Sequence, residues 1–184
     1  MTDIAAATIT AQDDAYGRLV EPTTLEIRRL LPGPIDRVWA YLTDANLRRQ
    51  WLADGAMDLR PDAPFELTWR NDELTDPPGR RPEDLGAEHR MASRILEVDP
   101  PRKLVFTWGS DGGSVAFTLA PAGDKVLLTV LHKRLAARNG RLMVSAGWHA
   151  HLDILAARLS GDQPTPFWDH WARLKDDYDA RLPR

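Results

Sequence analysis

Residues 139–161 read NGRLMVSAGWHAHLDILAARLSG, and their spacing predicts one long helix on which the rest of the chain is organised. Asn139 suits the N-cap, where its side-chain oxygen can accept from the first turn. Gly161 suits the left-handed ending, and Pro164 forbids continuation. At about 100° per residue two apolar faces emerge. Val144, Trp148, Leu152, Leu155 and Leu159 form a bulky stripe. Met143, Ala146, Gly147, Ala150, Ile154 and Ala157 form a second face of mostly small side chains. Ser145, His149 and Asp153 mark one polar edge, and His151 and Arg158 the other. A helix that is apolar on two faces is expected to be sandwiched between other elements.

What it is sandwiched between is read upstream and downstream. Phe65, Leu67 and Trp69 alternate with polar residues in period two, which predicts a strand with Glu66 facing solvent. Residues 88–98 predict a longer strand, closed by Asp99-Pro100-Pro101. Leu104, Phe106 and Trp108 alternate next, then Val115, Phe117 and Leu119, then Val126, Leu128, Val130 and His132, with glycine turns between. Hairpin-linked strands in this order predict an antiparallel sheet with one apolar face. Before them come a strand over 25–31, in which Arg29 interrupts an apolar face, and two short helices, one opened by Pro34 and one capped by Asp44. A weak strand is predicted over 57–60. Residues 71–87, with three prolines, predict a long loop of the kind that covers a site or is a mobile insertion. After the long helix, Phe167, Trp171, Leu174 and Tyr178 recur at helical spacing, predicting a last amphipathic helix over 167–182. Residues 1–15 read as a flexible tail, 16–161 as the main domain, and 162–184 as an appended helix packed on it.

Composition narrows the function. The chain has 184 residues, 43% apolar and 28% charged, which is ordinary for one globular domain. Net charge is −3 with scattered basic residues, so no nucleic-acid footprint is expected beyond a local Arg48–Arg49 patch. Cysteine is absent, which excludes a disulfide scaffold and a thiolate nucleophile. No leader-like start and no membrane-length apolar run occur, so a cytoplasmic protein without membrane insertion is expected. No metal motif such as HExxH and no phosphate-binding or nucleophile-elbow motif is found, so neither metal nor cofactor is expected. Seven tryptophans are the one oddity. Each is a large apolar body suited either to the core or to a cavity wall.

Three stretches carry a resemblance: RLLPGPIDRVWAYLTDANLRRQW at 29–51, RILEVDPPRKLVFTWG at 94–109, and GWHAHLDIL at 147–155 following His132. In this element order they resemble the START-like, or SRPBCC, superfamily, and within it the branch named for activators of the heat-shock-protein-90 ATPase. The resemblance implies an α+β helix-grip fold. About six or seven antiparallel strands would curve around the long helix, with two short helices after the first strand and the last helix appended. It also implies a cavity between sheet and long helix that takes a small apolar molecule.

Taking the apolar parity as inward, Trp69, Met91, Phe106, Trp108, Phe117, His132, Val144, Trp148 and Leu152 are the expected ligand-binding residues. No catalytic residue is assigned. A cyclase- or isomerase-type enzyme using His132 or the His149–Asp153 pair is the first alternative, although that pair reads as a surface pair at i, i+4. A co-chaperone-like interaction module using an exposed last helix is the second. The small-residue face of the long helix is expected to receive that last helix, with a homodimer partner as the rival.

Overall fold

The computed structural model describes residues 15–184, so the expected tail lies, but for its last residue, outside the described residues. Seven strands build one antiparallel sheet: β1 (Arg18–Glu21), β2 (Thr24–Pro32), β3 (Pro64–Trp69), β4 (His89–Asp99), β5 (Lys103–Trp108), β6 (Gly113–Ala122) and β7 (Lys125–Lys133). Their spatial order is β1-β2-β7-β6-β5-β4-β3. Successive hairpins give β4 to β7. The last strand then closes on β2, with Ile27 opposite Val130 and Leu25 opposite His132. The inward parity is the expected one: Leu67, Phe106, Phe117, Leu128 and Val130 are buried, and Glu66 is exposed. Residues 57–60 form no strand.

Helices α1 (Ile35–Thr43) and α2 (Ala45–Arg48) follow β2. Asp44 caps α2, its carboxylate accepting from Asn46 N at 2.8 Å and Leu47 N at 3.1 Å. Arg48 corrects the expectation of a basic surface patch, for its side chain is fully buried. Its guanidinium donates to the carbonyls of Thr43, Leu42 and Gly55, so it closes the open end of the α1–α2 turn. Burial pushes its pKa down to about 10, which leaves it charged at neutral pH.

The long helix is α3 (Arg138–Ser160), ending as expected on Gly161 in the left-handed region at φ 75°. Its start differs. The cap is Ala137, and Asn139 lies inside the first turn. A cap oxygen stabilises by only about 1 kcal/mol. Here the first helical residue, Arg138, instead bonds Asp179 at 2.6 Å and the carbonyls of residues 179, 182 and 183. The bulky stripe faces the sheet, and the deep part of the space between them is filled. Phe106, Phe117, Leu104, Ile95, Leu152 and Leu155 are all within 1% of complete burial. The deep part of the interior between sheet and helix stripe is therefore a packed core, as close packing of large apolar side chains favours, and space remains toward the ends of β3 and β5.

Helix α4 (Phe167–Arg181) packs antiparallel-fashion on α3 with Phe167, Trp168, Trp171, Leu174 and Tyr178 buried. Its N-terminus has no side-chain cap of its own. The 71–87 loop supplies the acceptors instead. Phe167 N donates to Thr75 Oγ1 at 3.0 Å, Trp168 N to the Pro78 carbonyl at 2.9 Å, and Trp168 Nε1 to Asp72 Oδ1 at 2.6 Å. Asp169 answers by accepting from Arg80 N at 2.9 Å. Gly79, at φ 80°, passes so near Asp169 that a Cβ would sit 2.8 Å from its backbone nitrogen. The loop is thus an outside cap for α4, not a loose insertion.

Candidate functional site

Where α3, α4, the 71–87 loop and the ends of β3 and β5 meet, the packing leaves a cleft of about 450 Å³. Trp69 and Trp108 form the sheet side; they pack edge to face with centroids 5.5 Å apart. Met143, Val144, Gly147 and Trp148 form the α3 side, and Phe167, Trp168 and Trp171 the α4 side. Leu85 and Gly86 reach over from the loop. Five of the seven tryptophans therefore border one space. Gly147 is what keeps it open: a Cβ added there would meet nothing within 4 Å. The residue that looked like part of a helix-packing face is in part a gap in a wall.

Of the nine residues expected from the sequence, Trp69, Trp108, Val144 and Trp148 border the cleft. Phe106, Phe117 and Leu152 do not; they are sealed in the core beneath it. Met91 is half-buried behind Trp108, its sulfur accepting from Gly109 N at 3.2 Å. His132 is 1% exposed and serves as an anchor, with Trp148 Nε1 donating to its Nδ1 at 3.0 Å. That bond fixes the Trp148 ring against the cleft. The sequence reading missed His151, Phe167, Trp168 and Trp171 as wall residues. The dense aromatics of 167–171 were the available signal, but where α4 docks is a tertiary fact.

His151 is buried on the cleft's α3 side, and its ring lies 4.8 Å from that of Phe167. Its Nδ1 is 2.7 Å from the Trp51 carbonyl. A carbonyl only accepts, so Nδ1 carries the proton and Nε2 a lone pair. Burial pushes its pKa down to about 4, against the opposing pull of that backbone bond, so the ring is neutral.

A polar cluster lies on the opposite edge of α3, and it corrects the reading of His149–Asp153 as a surface pair. His149 is 4% exposed because α4 covers that edge. Asp153 Oδ1 accepts from Arg29 Nη2 at 3.0 Å and Nε at 3.2 Å. Its Oδ2 accepts from His170 Nε2 at 2.8 Å and faces His149 Nε2 at 3.4 Å. Tyr178 Oη lies 3.0 Å from His149 Nδ1 and accepts from Gly17 N at 2.7 Å. Arg29, the residue that broke the apolar face of β2, is thus the counter-ion of Asp153. Burial raises the Asp153 carboxyl, but the His170 hydrogen bond and the Arg29 charge outweigh it and hold the group below its ordinary range. Burial and Arg29 push His149 down to about 4.

His149, Asp153 and His170 bring their ligand atoms within 4.8 Å of one another, a set chemically able to hold a metal ion. The Arg29 guanidinium on the same carboxylate works against a further cation there. Asp153 and His170 also border a second groove of about 370 Å³, lined by the small residues Ala150 and Ala157 and by 162–165. The cluster joins β2, α3 and α4, and its carboxylate–imidazole contacts lie away from the aromatic cleft.

The comparisons with known proteins agree with this architecture. The profile of the family described as Activator of Hsp90 ATPase homolog 1-like protein matches residues 32–160. A protein encoded by gene BPP1335 from Bordetella parapertussis has a solution structure similar to this one. It is 39% identical over 92% of this chain and 91% of that one, with a TM-score of 0.76. CalU16 from Micromonospora echinospora is 25% identical over 85% of this chain and 86% of its own, with a TM-score of 0.63. EF2215 from Enterococcus faecalis shares the fold at 19% identity, covering 93% of each chain with a TM-score of 0.66. A search of curated proteins found no match. No described helix is long and apolar enough to cross a membrane.

Proposed function

The chain belongs to the Activator of Hsp90 ATPase homolog 1-like family, and from that premise we propose that it binds a small, largely apolar molecule in the tryptophan-walled cleft. The observation that carries this reading is the unfilled space of about 450 Å³ beside a core that is otherwise packed tight. Ligand sites are concave, mostly apolar and marked by few polar groups. This cleft has that character, with Trp148 held by His132 and Trp168 by Asp72 so that the walls are pre-formed. Pre-formed walls reduce the ordering cost of binding.

The two alternatives find less support. An enzyme built on a cavity histidine needs a carboxylate beside it. Among the described residues the carboxylate–histidine contacts are at Asp153, away from the cleft; in the cleft His151 faces a carbonyl, and His89 is exposed with its ring against Trp69. An interaction module needs the apolar face of the last helix in solvent, and Phe167, Trp171 and Tyr178 are turned into the protein's own body.

Native mass spectrometry of protein purified without added ligand tests the proposal. A discrete co-purified small-molecule mass, displaced by an added apolar aromatic compound, is the expected result. Bare protein whose tryptophan fluorescence and melting temperature are also indifferent to such compounds would overturn it.

A further inference from the structure

We propose that the cleft selects ligands carrying a hydroxyl or N–H donor on an apolar, aromatic-sized body, and that His151 Nε2 is the acceptor that reads it. This rests on the ligand-binding reading above and goes further by fixing the ligand's chemistry.

Three observations carry it. First, His151 borders the cleft, and its Nδ1–H is spent on the Trp51 carbonyl at 2.7 Å. That bond sets the tautomer, so the remaining nitrogen offers a lone pair and no proton. Second, no group among the described residues bonds Nε2. His151 keeps 6% of its surface exposed, and the cleft is the space it borders. Such an unpartnered acceptor, like the buried Oδ1 of Asn71, which also borders the cleft, is satisfied by whatever donor enters, and discriminates against a ligand that lacks one. Third, among the described residues no lysine or arginine borders the cleft, while the exposed carboxylates Asp84 and Glu88 do. Arg70 and Arg90 pair with Glu88 from behind and do not border the space. A ligand carboxylate would meet a neutral histidine and the Asp84 carboxylate, while the nearest guanidiniums, those of Arg70 and Arg90, are already engaged by Glu88. Free fatty-acid-like anions therefore fit this site poorly, and neutral phenols or alcohols fit it well. Burial supports the assignment by keeping the imidazole neutral, with a pKa of about 4.

The test is a titration of tryptophan fluorescence with three probes of nearly equal shape: 2-naphthol, 2-methylnaphthalene and 2-naphthoate. The wild-type chain is expected to bind 2-naphthol about fivefold tighter than 2-methylnaphthalene, the factor one net hydrogen bond supplies. A merely greasy cleft would prefer the methyl compound, because the hydroxyl costs desolvation. 2-Naphthoate is expected to bind weakest. In H151N the amide N–H can keep the bond to Trp51 and no atom stands where Nε2 was. That variant should hold 2-methylnaphthalene unchanged and lose the naphthol preference. An imidazole nitrogen spectrum of the wild-type protein gives a readout independent of any variant, with His151 Nε2 shifting on naphthol binding and not on methylnaphthalene binding. Equal binding of both neutral probes, tightest binding of naphthoate, or a preference that survives in H151N would overturn the proposal while leaving the apolar-ligand reading standing. Failure of every probe to bind would overturn both.

Discussion

At the scale of single residues, three buried histidines govern how this protein responds to acid. His132, His149 and His151 are each pushed to about 4 from an ordinary 6.5, in every case mainly by burial. The unfolded chain therefore binds up to three more protons than the folded one between those values, so stability rises with pH across that window. It is fully present above about pH 6.5 and is lost as pH falls toward 4. Asp153, whose carboxyl is held low in the folded state, adds a loss in the same direction at still lower pH. Around His149 the opposing groups are Arg29 and His170 on one side and Asp153 and Asp177 on the other. Urea midpoints at pH 7.5, 6.0 and 4.5 are expected to fall steeply between the last two, by several kcal/mol in total. A flat profile would show that these rings are protonated in the fold. The Arg29–Asp153 pair makes a second prediction. Asp153→Asn removes the charge that compensates a guanidinium whose side chain is only 9% exposed. With Asp153 itself partly in solvent, a cost of about 2 kcal/mol is expected, below the range for a fully buried pair. Chemical denaturation measures it. Arg29 was visible in the sequence as an interruption of an apolar strand face. His149 was misread because its burial depends on α4, 17 or more residues further along, and helix periodicity carries no information about such partners.

At the scale of elements, α3 was legible almost throughout. Its bulky stripe meets the sheet, α4 packs against it while part of its small face borders the two grooves, and Gly161 ends it in the expected conformation. What could not be read is where packing fails. The cleft has open space beside Gly147, where a Cβ would meet nothing within 4 Å, and residues of the irregular 71–87 loop border it. Neither absence of volume nor irregular backbone has a period. Gly147 gives the element-scale prediction. Gly147→Ala should stabilise the protein by up to about 1 kcal/mol, the helix-propensity gain, because its methyl meets nothing within 4 Å. Gly147→Leu should fold as well, yet fill the cleft and weaken binding of 2-methylnaphthalene at least tenfold in a fluorescence titration. Unaltered binding in the leucine variant would place the ligand elsewhere.

At the scale of the molecule, the last helix is part of the core rather than an appendage. Five of its side chains are buried. At about 1.5–3 kcal/mol for each large apolar side chain, their burial is comparable to the whole stability of an ordinary domain. A chain ending after Gly161 is expected to lose its cooperative thermal transition, followed by circular dichroism, even though the sheet strands and α3 are all present. Retention of a melting temperature within a few degrees of the full chain would contradict this. The sequence pattern marked α4 as amphipathic, but only the structure reveals that the 71–87 loop caps it and that Arg138 binds its far end.

The ends of the described chain are clasped together. Gly17 donates to Tyr178, Tyr16 to Asp177, and β2 lies between β1 and β7 in the middle of the molecule's closure. Contacts spanning 161 residues form only once both the start of β1 and α4 are present. Until α4 docks, the tryptophan-rich surface of α3 and of the cleft stays uncovered, the kind of transient apolar exposure that invites aggregation. Folding of the described domain therefore couples its two ends, and a fragment lacking α4 is expected to leave the start of β1 without its anchor at Tyr178.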